Sequence, residues 1–134
     1  MFRHTFFYFL FSILLVLAPV HVLGIKHFWF AAYPPLDLVL HFVGGLWIAG
    51  MGLWLFFLSG LSKATYRDRI PKVHVVFGAL VFALMIGGLW EIFEVINDST
   101  LRGYPNYVFD TLTDLVADTT GALLVAWYFV KKYL

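Results

Sequence analysis

Residues 110–130 read DTLTDLVADTTGALLVAWYFV. This stretch decides the fold because it carries two demands at once. Positions 111–130 are long and mostly apolar, close to the ~20 residues a helix needs to cross a bilayer core. Yet Asp110, Asp114 and Asp118 recur one helical turn apart, so their carboxylates share a face. An ionised carboxylate near the bilayer centre costs at least ~2.5–3.5 kcal/mol on insertion scales. The stripe must therefore turn toward other helices, and such a helix implies a bundle around it.

Working outward, three more stretches suit spanning helices, at about 5–23, 36–58 and 73–96. Open sheets cannot span lipid, and no ten-residue alternating segments suggest a barrel. The expectation is an all-α fold: a four-helix transmembrane bundle making a single polytopic membrane domain over 1–134. Composition agrees. The 134 residues are 62% hydrophobic and only 13% charged, against roughly 25% charged in soluble domains. A formal net charge of +1 without a basic run excludes a nucleic-acid partner. The absence of cysteine excludes a disulfide framework, a thiolate metal site and a thiol nucleophile.

Lys and Arg set the orientation. With four spans, Arg3, Lys63, Arg67, Arg69, Lys72, Lys131 and Lys132 fall on one side, and Lys26 and Arg102 on the other. Seven against two puts both termini in the cytoplasm, in a multi-pass protein of the cell (inner) membrane. The first stretch has signal-peptide features, but its length favours a retained helix. The basic 59–72 loop fits against anionic headgroups.

Seven of the eight acids then map to the outer half of the membrane or its surface: Asp37, Glu91, Glu94, Asp98, Asp110, Asp114 and Asp118. Asp68 alone lies on the cytoplasmic side. His41 follows Asp37 by one turn, so it lies ~6 Å deeper at a rise of ~1.5 Å per residue. Helices two, three and four thus present Asp37 with His41, Glu91 with Glu94, and the aspartate stripe at similar depth. These faces should converge. Converged acids cannot all stay ionised, because burial and like charges both oppose it. Either some hold protons or a cation sits among them. Carboxylate oxygens with one imidazole and no sulfur suit a divalent metal ion such as Mg, Mn, Fe or Zn.

Plainer roles compete. Asp37 and Asp110 sit where N-caps belong, Asp98 suits a turn, and Glu94 could simply reach the surface. His21 and His27 read as interfacial or loop residues, and His74 starts a helix at the far end. Small residues at four-residue spacing suit close helix packing: Gly45 with Ala49, Ala79 with Ala83 and Gly87, and Ala117 with Gly121. The tryptophans suit an aromatic belt. No nucleophile elbow, His-Glu-x-x-His or P-loop is present. The helix-four aspartates lack the remainder of a CDP-alcohol phosphotransferase motif.

Three motifs together, DLVLHF at 37–42, WEIFE at 90–94 and DTLTDLVADTTGA at 110–122, resemble the YjdF-like family of small prokaryotic inner-membrane proteins. The pattern is similar to the broader VanZ-like group. The resemblance implies a multi-pass membrane protein with its polar motif residues on the outer side, and no established reaction. The VanZ-like association with the cell envelope is not carried over as function.

Three functional expectations follow. In the first, the chain is a metal-dependent hydrolase or transferase acting on a lipid-linked or headgroup substrate at the outer leaflet. His41, Glu91, Asp114 and Asp118 would hold the metal, and a water made acidic by the ion would attack. Glu94 or Asp37 would act as general base or acid, and Arg102 and Asp110 would contact substrate. In the second, the same groups serve a non-catalytic cation-binding or transport protein. In the third, they are a structural polar network.

Overall fold

The computed structural model describes residues 2–61, 70–97 and 106–134. The described residues are helical throughout, apart from short connections. Helix α1 spans Phe2–Lys26, a one-turn α2 spans Trp29–Ala32, and α3 spans Pro35–Leu53. A π-helical turn, Trp54–Leu58, continues α3. Then follow α4, Lys72–Asn97, and α5, Tyr107–Tyr133.

Each long helix starts at or before its apolar stretch and ends at or beyond it, since helix geometry does not stop where hydropathy does. Two features were absent from the sequence reading. The chain turns at Phe28, whose φ of 57° is left-handed, and α2 follows at once. The π-helical turn is the other; it brings the consecutive Phe57 and Leu58 both into the core. Pro19 lies inside α1, where it removes one backbone hydrogen bond.

Among the described residues three helices are long and apolar enough to cross a membrane: Thr5–Lys26, Pro35–Leu58 and Lys72–Asn97. Helix α5 does not join them, because three aspartates and two terminal lysines dilute its apolar content. It is instead the helix most extensively packed on α3. Helix α4 packs on both, and α1 leans on α3.

The expected small-residue seams are where the helices meet. Gly45, Ala49, Ala79, Ala83, Gly87, Ala117 and Gly121 are all buried. Gly45 lies against the Asp118 backbone, and Gly121 against the carbonyl of Phe42, so closely that no Cβ fits at either. Such close approach trades side-chain volume for backbone van der Waals contact, the usual route to helix association in lipid.

The apolar core fills the end of the bundle away from the acids. Phe129 and Leu10 are fully buried there, with Phe6, Phe57 and Val75 close by. The ring centroids of Phe6 and Phe57 lie 5.7 and 5.5 Å from that of Phe129. Many large apolar side chains, among them Phe77, Met85, Leu89, Val108 and Val116, point outward instead. A surface of that kind matches hydrocarbon rather than water.

Candidate functional site

The opposite end of the bundle gathers polar groups from α3, α4 and α5. His41, Glu91, Asp114 and Asp118 keep only 7%, 5%, 4% and 3% of their surface exposed. Asp37 and Glu94 are half-buried beside them. Helix α3 supplies His41 one turn below Asp37, α4 supplies Glu91, and α5 supplies the inward stripe of Asp114 and Asp118.

His41 is the hub. Its Nε2 lies 3.8 Å from Oε1 of Glu91, and its Nδ1 lies 3.5 Å from Oδ2 of Asp118. Neither is a well-formed hydrogen bond. Both carboxylate oxygens are buried and without a hydrogen-bond partner among the described residues. Orphaned acceptors of this kind are rare in folded proteins.

The other oxygen of Glu91 is anchored. Thr111 donates to Oε2 at 2.8 Å, and Tyr107 donates to the Glu91 backbone carbonyl at 3.4 Å. Glu94 is steadied by the indole N–H of Trp90, which donates to its Oε1 at 2.9 Å. Each glutamate therefore has one oxygen held by a neighbour. For Glu91 the free oxygen faces the imidazole.

Among the described residues two groupings could hold a metal ion. One is Asp37, His41 and Asp114; the other is His41, Glu91 and Glu94. Within each, the ligand atoms lie within 4.8 Å of one another. Two ligands each ~2.0–2.2 Å from one ion can stand as far apart as His41 Nε2 and Glu91 Oε1 do. Asp118 belongs to neither grouping and faces the other imidazole nitrogen. Glycines make its position: Gly45 clears its backbone and Gly87 its carboxylate.

The remaining candidates fall elsewhere. Asp110 is exposed in the first turn of α5, and Arg102 and Asp98 lie outside the described residues. The capping roles for Asp37 and Asp110 are overturned. The N-caps are Pro34 and Asn106, and both acids sit inside the first turn, where no side-chain cap bond forms. A negative charge there still complements the helix dipole. His21 packs its ring on Trp90, with centroids 5.2 Å apart.

A cavity of about 390 Å³ runs beside the cluster between α1, α3 and α4. Asp37, His41, Asp118 and, from α1, His21 line it, and its other walls are almost wholly apolar. Trp47 also lines it, and its buried indole N–H has no partner. Trp47 sits in the middle of α3, so it is no belt residue. Only the missing acceptor distinguishes it, and sequence carries no sign of that.

The fold and this site define a helical membrane protein with a buried carboxylate–imidazole cluster at one end. The chain belongs to the family described as "Predicted membrane protein (DUF2238)", which matches residues 2–133. No curated protein and no solved structure matches significantly.

Proposed function

We propose that this protein is a metal-dependent membrane enzyme, a hydrolase or transferase for a lipid-linked or headgroup substrate at the outer leaflet. The observation that carries this reading is the orphaned Oε1 of Glu91, buried and facing His41 Nε2 at 3.8 Å. A cation shared by the two would satisfy both.

His41, Glu91 and Glu94 would hold the ion, whose contribution is Lewis acidity. Asp118 would orient the imidazole through Nδ1, as carboxylates beyond metal-bound histidines do. Asp37, half-buried and lining the cavity, would serve as general base or acid. Asp114 lies with Asp37 in the second grouping and could complete the shell. Asp110 and Arg102 would contact the polar part of the substrate.

The membrane setting belongs to the same proposal. The outward face of α5 carries Val108, Leu112, Val116, Leu123, Leu124 and Trp127, all exposed. That face suits lipid, so α5 would be a fourth span that inserts against α3. The chain would form one polytopic domain in the inner membrane, with both termini cytoplasmic. Within DUF2238, the YjdF-like character of the three motifs is part of this reading, and the VanZ-like link is not used.

A transport role has less support. Deeper than Asp118, the buried face of α5 is Gly121, Ala122, Val125, Ala126 and Phe129, with no polar path among the described residues. A purely structural network has less support, since Glu91 Oε1 and Asp118 Oδ2 lack a hydrogen-bond partner among the described residues.

Elemental analysis of detergent-purified protein tests the reading. The wild type should carry one of Mg, Mn, Fe or Zn near stoichiometry. Glu91→Gln and Asp114→Asn should lower that content. A trace content that neither substitution changes would defeat the proposal.

A further inference from the structure

Helix α1 enters the core only near its start, and toward the acidic end it touches α4 through the rings of His21 and Trp90. Phe6 and Leu10 are buried, and no residue from 11 to 23 is. Between these contacts α1 stands off, and the 390 Å³ cavity occupies the gap. Leu14, Leu17, Ala18 and Val22 form the apolar part of its α1 wall and His21 the polar part, with Ile48 and Ile86 opposite. Gly44 adds room, since a Cβ there would meet nothing nearer than Asp118 Oδ1 at 4.0 Å.

Apolar cavities do not hold water, so these walls select hydrocarbon. The volume lies at the lower end of ligand pockets, ~300–1,000 Å³, and suits one chain better than two. Polarity is concentrated where Asp37, His41, Asp118 and His21 line the cavity. A chain lying along the apolar walls therefore brings its head to the cluster. Among the described residues no Lys or Arg lines the cavity, and the cation proposed at His41 would hold an anionic head beside Asp37 and Asp118.

We infer that this cavity binds the hydrocarbon chain of a single-chain amphiphile, with an oxyanion head of the alkyl phosphate class held through the cation at His41. The head assignment rests on the proposed metal site; the chain assignment rests on the cavity alone. Entry would be sideways from the bilayer, past the standing-off half of α1.

Photo-crosslinking of the full chain in phosphatidylcholine nanodiscs with Mn²⁺ tests this. The probe is an alkyl phosphate with a diazirine at the chain end, and labelled residues are located by mass spectrometry. Label should concentrate on the cavity walls and be displaced by dodecyl phosphate but not by dodecyltrimethylammonium. Ala18→Trp, which fills the cavity from a helix outside both cation groupings, should cut labelling about tenfold while metal content stays unchanged. Leu14→Trp, also on α1 and lining the cavity, should act likewise. Metal bound with label spread evenly over lipid-facing residues would overturn the inference and leave the metal site standing. Cavity labelling without any bound metal would overturn the head assignment and the metal site, leaving the chain slot. Better displacement by the ammonium amphiphile would overturn the oxyanion class.

Discussion

Asp118 on α5 lays its carboxylate over Gly87 on α4, in the space where any side chain at position 87 would begin. The small residue thus seats the acid that faces His41. Gly87→Ala should displace that carboxylate and cost ~1–3 kcal/mol, as overpacking does. Gly88→Ala is the control, because a Cβ there meets nothing within 4 Å. It should be neutral or stabilising, given a helix preference for Ala over Gly of up to ~1 kcal/mol. Thermal unfolding in one detergent compares them, and equal stability would contradict this account of the seat.

The backbone contacts of Gly45 and Gly121 should be less forgiving. No flexible side-chain tip can yield there, since the facing atoms belong to main chain. Gly45→Ala and Gly121→Ala should each lose at least ~1–3 kcal/mol and part α3 from α5. Gly78→Ala, open to space, should not. Resistance to detergent denaturation is the measurement.

Asp118→Asn separates orienting from ligating. An outer carboxylate on a metal-bound histidine is worth about 10–100-fold in affinity. Asp118→Asn should therefore weaken metal binding by that factor and leave a measurable site. His41→Ala and Glu91→Gln should abolish it. Titration calorimetry of the demetallated protein distinguishes the two patterns, and complete loss with Asp118→Asn would make it a direct ligand.

Thr111 is the anchor of Glu91. Thr111→Val removes the donor and leaves a second orphaned oxygen, a loss of ~1–3 kcal/mol. Thr111→Ser keeps the hydroxyl and should restore both stability and metal affinity. Failure of the serine variant to rescue would show that the methyl group matters instead.

Metal content should also depend on pH in one direction. Carboxylate and imidazole ligands must lose their protons to bind a cation. Occupancy should fall as the medium is acidified and recover on return to neutral pH. A content indifferent to acid would point to adventitious metal.

Much of this arrangement was legible in the sequence because lipid narrows the choices. The cost of exposed charge forces Asp114 and Asp118 of α5 inward, though not Asp110 at the helix start, and turn spacing then matches them to His41 and Glu91. The small-residue seams were readable for the same reason. Three things were not. Which imidazole nitrogen faces which acid depends on ring rotation, so spacing alone does not separate a ligating Asp118 from an orienting one. The caps at Pro34 and Asn106 depend on where each chain segment enters its helix, which hydropathy does not mark. The cavity depends on α1 standing away from α3, and apolar residues read alike whether they touch a helix or a lipid.

That stance of α1 divides the labour of the molecule. Both cation groupings come entirely from α3, α4 and α5, while α1 contributes wall and no ligand. Chemistry and selectivity for chain shape can then drift independently. Substitutions at 14, 17 or 18 would retune which lipids are admitted without disturbing the groups that act on them.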